Sequence, residues 1–167
     1  GTLEIIAGND DGNLHVLNYQ GFEVAFFDTG DDIRGGISVA DLNDDGSLEL
    51  LFVGYDDMIH VWNPFTNEEL EGWPINMGDN SLSGPLLADL DNDGDLEVIS
   101  AMKTGAVFVM QHDGDFFQNF PMNILGIEST PAVEDLDNDG DYELVFATTQ
   151  GLQVIDIKSQ KGTHGSW

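Results

Sequence analysis

Apolar residues fall in short blocks of about four to seven, punctuated by Gly, Asn and Asp, with no long stripe at helical spacing. One set of blocks spans 48–53, 96–100 and 142–147. A turn and a second block follow in each unit, at 14–17, 58–62, 106–110 and 152–157. A weaker third segment lies near 23–27 and 68–73, and a run such as 36–40 or 130–133 closes the unit. The blocks are rich in Val, Ile, Leu and Phe, which is the grammar of strands. The pattern predicts an all-β chain.

The blocks repeat. Asp41-Leu-Asn-Asp-Asp-Gly-Ser-Leu-Glu49, Asp89-Leu-Asp-Asn-Asp-Gly-Asp-Leu-Glu97 and Asp135-Leu-Asp-Asn-Asp-Gly-Asp-Tyr-Glu143 align without gaps. Leu3-Glu4-Ile5-Ile6-Ala7-Gly8 matches the strand after the second of these, without its acidic loop. About four short strands per unit of roughly 45 residues predicts propeller blades. The units run approximately 1–35 (partial), 36–83, 84–129 and 130–167 (partial), within a single domain spanning 1–167. One blade cannot bury its own faces, so neighbours must supply the core. Phe26, Phe52, Phe108 and Phe146 are expected to pack between blades. About two complete four-stranded blades with partial blades at both ends make an incomplete propeller, unless other chains or further sequence close it. Open ends of that kind expose unpaired edges and favour association.

Each acidic loop reads Asp-x-Asp/Asn-x-Asp-Gly-x-x-Glu. Alternate side chains of a tight loop converge on one point, and the Gly permits the bend. The expected ligands are Asp41, Asn43, Asp45 and Glu49 in the first loop, Asp89, Asp91, Asp93 and Glu97 in the second, and Asp135, Asp137, Asp139 and Glu143 in the third. Ser47, Asp95 and Asp141, at the seventh position, would offer backbone carbonyls. Hard oxygens in this number suit Ca²⁺. Zn²⁺ would want His or Cys, and neither lies in a loop. Three Ca²⁺ sites are expected. An EF-hand would need a Glu at the twelfth position, which here holds Phe52, Ser100 and Phe146.

Acidic loops of this form, placed between blade strands at this period, resemble the FG-GAP/VCBS repeats of integrin-α-like calcium-binding β-propellers. The resemblance covers nearly the whole chain and implies that the loop between the first two strands of a blade binds Ca²⁺. The first loop departs from the pattern at Asn43 and Ser47 and is expected to bind more weakly. The resemblance also implies a secreted or cell-surface protein with protein or glycan partners.

Composition narrows the function further. With 32 Asp+Glu against 4 Lys+Arg, the formal net charge is −28, which argues against nucleic acid and anionic membranes as partners. There is no Cys for a disulfide or thiolate site. No stretch approaches the roughly 18 apolar residues of a membrane span. No catalytic fingerprint or organic-cofactor site appears. His15 and His60 occupy matching strand positions and read as packing residues. His112 and His164 read as solvated, and Arg34 as a local salt bridge to its acidic neighbours. Trp73-Pro74 and Phe120-Pro121 mark corresponding joins between units.

The expected function is a non-enzymatic extracellular calcium-binding module for adhesion or ligand binding, with structural Ca²⁺. A self-assembling protomer of an extracellular fibre or sheath, binding copies of itself as oligomer or filament, is the alternative. A polysaccharide lyase-type enzyme ranks below both, because the basic residues its chemistry needs are missing.

Overall fold

The structure, a computed structural model, describes residues 3–79, 81, 83–127 and 129–158. Among the described residues, four antiparallel sheets succeed one another along the chain and no helix occurs. The first sheet holds β1 (Glu4–Gly8), β2 (Asn13–Asn18) and β3 (Glu23–Asp28) in that order. The second holds β4 (Ser38–Ala40), β5 (Glu49–Val53), β6 (Met58–Asn63) and β7 (Glu68–Glu69), with β8 (Ile75–Asn76) also paired to β6. The third holds β9 (Leu86–Ala88), β10 (Glu97–Ala101), β11 (Ala106–Met110) and β12 (Met122–Asn123). The fourth holds β13 (Ala132–Glu134), β14 (Tyr142–Thr148) and β15 (Gly151–Ile157). None closes into a barrel; this is an all-β, incomplete propeller-like array.

The short run before each acidic loop pairs with the strand after it. Ser38 faces Leu51, Leu86 faces Ile99, and Ala132 faces Val145. The run that closes a unit in the sequence pattern is therefore the first strand of the next sheet. Each acidic loop is the link between a sheet's first two strands, pinned by the ladder on both sides.

Alternating side chains on each strand feed two different cores. Leu14 and Val16 of the first sheet meet Leu50, Phe52 and Trp62 of the second. Leu51, Val53, Ile59 and Val61 leave the opposite face of the second sheet and meet Val98, Phe108 and Met110 of the third. Ile99, Ala101, Val107 and Val109 continue to Leu144 and Phe146 of the fourth. Full burial of each large apolar side chain contributes about 1.5–3 kcal/mol, so the sheets hold one another in place. Phe52, Phe108 and Phe146 are buried as expected, but Phe26 is not. It lies on the outer face of the first sheet, where no described residue covers it, and its neighbour Phe27 turns inward against Phe52 and Trp62 instead.

The Trp-Pro and Phe-Pro joins, both cis, seat their aromatics in the second and third cores. Trp73 also donates its indole N–H to the His112 carbonyl at 3.2 Å, tying the second sheet's exit to the third. Gly72 touches the Asp113 backbone there, leaving no room for a Cβ.

Candidate metal centres

The three acidic loops share one backbone design. The first-position Asp accepts the N–H of the sixth-position Gly, at 2.9 Å for Asp41–Gly46, 3.1 Å for Asp89–Gly94 and 3.2 Å for Asp135–Gly140. The fifth-position Asp accepts the seventh-position N–H, at 2.7 Å from Ser47, 3.0 Å from Asp95 and 3.1 Å from Asp141. The ninth-position Glu reaches back to the N–H of the second-position Leu. Those distances are 3.0 Å for Glu49–Leu42, 2.6 Å for Glu97–Leu90 and 2.6 Å for Glu143–Leu136. Two positions are left-handed in every loop. The fourth is Asp44, Asn92 or Asn138 (φ 54°, 57° and 62°), and the sixth is Gly46, Gly94 or Gly140 (φ 89°, 104° and 95°). Asp and Asn tolerate that region because their short polar side chains bond locally, and Gly carries no Cβ to clash.

This frame gathers carboxylates. In the second loop, oxygens of Asp89, Asp91 and Glu97 lie within 4.8 Å of one another, and in the third those of Asp135, Asp137 and Glu143 do the same. Two charges about 5 Å apart repel by roughly 3 kcal/mol at an effective dielectric near 20. Glu97 registers the strain. Burial, with added repulsion from Asp91, Asp89 and Asp93, pushes its carboxyl up to about 7 against the stabilising Leu90 N–H. Its Oε1 is buried with no hydrogen-bond partner, as is Asp135 Oδ1. Buried, unpaired carboxylate oxygens facing other carboxylates are costly unless a cation joins them. The donors are all hard oxygens, so the two groups fit a divalent cation of the Ca²⁺ or Mg²⁺ kind. Asp93 and Asp139 lie outside these groups, each with one oxygen on the N–H two residues ahead.

The first loop keeps the backbone but differs in charge. Asn43 donates its amide to Asp45 at 3.1 Å, where an acid would repel it. Asp45 is held below the ordinary carboxylate value, first by the Ser47 N–H and then by Asn43. Glu49 is raised by burial, but its Oε1 accepts the Asn63 amide at 2.9 Å. Among the described residues, Asp41, Asp45 and Glu49 do not form a three-carboxylate group. The third loop differs again. Lys158 sits 2.6 Å from Asp156, 3.3 Å from Asp139 and 3.8 Å from Asp141. Asp139 is held low by the Asp141 N–H and by this lysine.

Asn63, Lys158 and the left-handed fourth position were not among the sequence expectations. The fourth-position signal was visible, since the residue is Asp or Asn in every loop. Asn63 lies at the end of β6 and Lys158 just past β15, and neither carries a local signal.

The remaining polar residues fall outside these loops. His60 is buried, stacked on Phe52 with ring centroids 5.0 Å apart. It is clamped between Glu69 (2.6 Å) and Asp56 (3.0 Å). Burial pulls its pKa down, but Glu69 and then Asp56 outweigh it and the net shift is upward. Arg34 pairs with Asp32 at 2.7 Å and Asp10 at 2.9 Å. His112 lies 3.5 Å from Asp95, and His164 is outside the described residues. Among the described residues, no helix is long and apolar enough to cross a membrane.

Comparison with known proteins agrees with this geometry. The family model described as "FG-GAP-like repeat" matches residues 41–100 and 89–146. No curated protein matches the chain. The solved structures it resembles include the computationally designed Ika4 protein, at 18% identity and TM-score 0.59, covering 95% of this chain and 88% of that one. The C-terminal domain of Pseudomonas aeruginosa PilY1 is similar at 21% identity and TM-score 0.65, covering 92% of this chain and 38% of that domain. The V. cholerae biofilm matrix protein Bap1 is similar at 20% identity and TM-score 0.59, covering 77% and 24%. The chain thus spans well under half the length of the last two, and likeness at these identities shows the fold alone. With the family match extending over more than half of the residues, the chain belongs to the FG-GAP-like repeat family.

Proposed function

We propose that the chain is a calcium-binding repeat module of an extracellular protein, that its Ca²⁺ is structural, and that it serves adhesion or ligand binding without catalysis. The observation that carries this reading is the pair of three-carboxylate groups, each built on a buried Glu. A resident cation would supply the positive charge that lets Asp89, Asp91 and Glu97, and likewise Asp135, Asp137 and Glu143, remain ionised side by side. Ca²⁺ is favoured over Mg²⁺ because it accepts six to eight flexible oxygen ligands, including carboxylates and carbonyls. The first loop is a third, weaker site, with Asn43 and Asn63 already meeting part of its oxygen demand. A protein or glycan is the partner chemistry in this reading. Support for the setting comes from the similar fold of a biofilm matrix protein. An array so poor in basic side chains is also a poor platform for abstracting a proton from an acidic sugar.

The test is thermal unfolding with chelator, with 1 mM Ca²⁺ and with 1 mM Mg²⁺. At a dissociation constant near 10⁻⁴ M, each filled site adds about 1.4 kcal/mol. Two sites then raise the melting temperature by on the order of 5–10 °C over the chelated protein. Mg²⁺ should recover only a fraction of that shift. Equal melting in chelator and Ca²⁺ would refute the reading.

A further inference from the structure

The second, third and fourth sheets are each entered by a short segment that precedes their first strand. Gly36, Gly84 and Thr130 hold the same place in these segments, counted back from the first Asp of each acidic loop. Between the second and third sheets the segments touch. A Cβ on Gly84 would lie 2.6 Å from the Gly36 carbonyl oxygen, and Ser38 Oγ donates to the Pro85 carbonyl. Between the third and fourth sheets Thr130 replaces the glycine, and a side chain there rules out so close an approach. The segments stand apart around a cavity of about 380 Å³, within the size range of small-molecule sites.

The cavity is formed by the third and fourth sheets alone. Ser81 and Ser83 lead into β9, Ala101 ends β10, Lys103 lies in the turn after it, and Ile127 and Thr130 lead into β13. A further repeat beyond either end of the array is not needed to complete it. Leu86 pairs with Ile99 and Ala88 with Glu97, so the approach to β9 lies at the Ala101 end of β10, away from the acidic loops. The crossing between the sheets is held at both ends. Gly105 accepts the Ile124 N–H at 2.8 Å, Gly126 accepts the Thr149 N–H at 3.1 Å, and Ile127 pairs with Thr148.

The hydrogen-bond pattern of the lining selects a ligand. Ser81 is buried and donates its one hydroxyl proton to the Ala101 carbonyl at 2.9 Å. The 3.0 Å contact between the Ser81 and Ser83 hydroxyls therefore takes its proton from Ser83, whose Oγ is left to accept. Ser129, which also lines the cavity, donates to the Thr130 carbonyl at 3.3 Å and likewise presents an acceptor. Lys103 brings ammonium donors. Among the described residues it has no ion-pair partner, whereas Arg34 and Lys158 are paired. Ala101 and Ile127 are buried and apolar. A matching ligand must both donate and accept hydrogen bonds and carry an apolar face. A bare anion cannot donate to Ser83 and Ser129, and the net charge of −28 opposes it.

We propose that this cavity binds one neutral saccharide residue, with hydroxyls donating to Ser83 and Ser129 and accepting from Lys103, and with C–H groups against Ala101 and Ile127. The proposal rests on the glycan partner of the function proposed above and gives it a place. No acidic-loop residue lines the cavity, so the calcium melting test and a sugar titration can fail separately.

The ¹⁵N-labelled whole chain in about 1 mM Ca²⁺ is titrated with glucose, galactose, mannose and N-acetylglucosamine, and in separate arms with glucuronate and inorganic phosphate. At least one neutral sugar should bind with a dissociation constant on the order of 1 mM. It should shift the amide signals of Ser83, Lys103 and Thr130 and leave those of Gly94 and Gly140 in place. Lys103→Ala removes the donors and Thr130→Tyr fills the space. Both side chains are exposed, so circular dichroism should match the wild type. Each variant should bind that sugar about tenfold more weakly. No binding of any of the four sugars at about 50 mM, tighter binding of glucuronate or phosphate, shifts confined to other residues, or unchanged affinity in either folded variant would each overturn the proposal.

Discussion

Replacing Glu97 by Gln should stabilise the metal-free protein and destabilise its response to calcium. Glu97 is fully buried, Oε2 accepts the Leu90 N–H at 2.6 Å, and Oε1 has no partner. Its pKa is raised from 4.5 to about 7 in the folded chain. A carboxyl raised on folding contributes stability fully present below its unfolded value and lost as pH rises through its folded value. At pH 8 the metal-free wild type therefore carries a penalty on the order of 3 kcal/mol from this side chain, at about 1.36 kcal/mol per pKa unit. Gln keeps the acceptor for Leu90 and removes the charge. In chelator at pH 8 the variant should exceed the wild type by up to ~3 kcal/mol, shrinking below about 1 kcal/mol at pH 5. In 1 mM Ca²⁺ the wild type regains about 1.4 kcal/mol at this loop and the variant does not. Urea unfolding at both pH values, with and without chelator, reads all four quantities. A variant less stable than wild type in chelator at pH 8, or one that gains as much from Ca²⁺, would refute the reasoning.

Asn43→Asp should turn the first loop into a stronger site. It removes the 3.1 Å amide bond to Asp45 and adds a carboxylate, so Ca²⁺ affinity there should rise about tenfold while melting in chelator falls. Unchanged affinity in a Ca²⁺ titration would count against the role given to Asn43. Gly94→Ala meets no atom within 4 Å, so its cost is backbone strain at φ 104°, about 1–2 kcal/mol in urea unfolding, with weakened Ca²⁺ binding. His60 has a raised pKa, so its contribution is complete below its unfolded value of about 6.5 and declines as pH rises through the folded one. The stability gap between wild type and His60→Gln should narrow from pH 6 to pH 9, and a gap that widens would contradict the Glu69 and Asp56 clamp.

The repeat, the strand order and the acidic loops were legible because each depends on local pattern. Asp, Gly and Glu recur at fixed offsets, and apolar blocks of strand length surround them. The loop-closing bond from Leu42, Leu90 or Leu136 to the ninth-position Glu was not legible, because it joins a backbone N–H to a side chain across a turn. Nor was the difference between the loops beyond Asn43 and Ser47. Asn63 meets Glu49 from β6 and Lys158 meets Asp139 from beyond β15, through sheet pairing that local spacing does not encode. Phe26 and Phe27 show the same limit on a single strand. Alternation sends them to opposite faces, but only the position of the neighbouring sheet decides which face is covered.

The central claim is tested most directly by equilibrium dialysis of metal-stripped protein against labelled Ca²⁺ at pH 8. The account predicts two ions per chain bound by the loops of Glu97 and Glu143, with a third binding more weakly at the loop of Glu49. It also predicts loss of one of the tighter ions in Glu97→Gln. Failure to bind any Ca²⁺ at millimolar concentration, or undiminished stoichiometry in that variant, would contradict it.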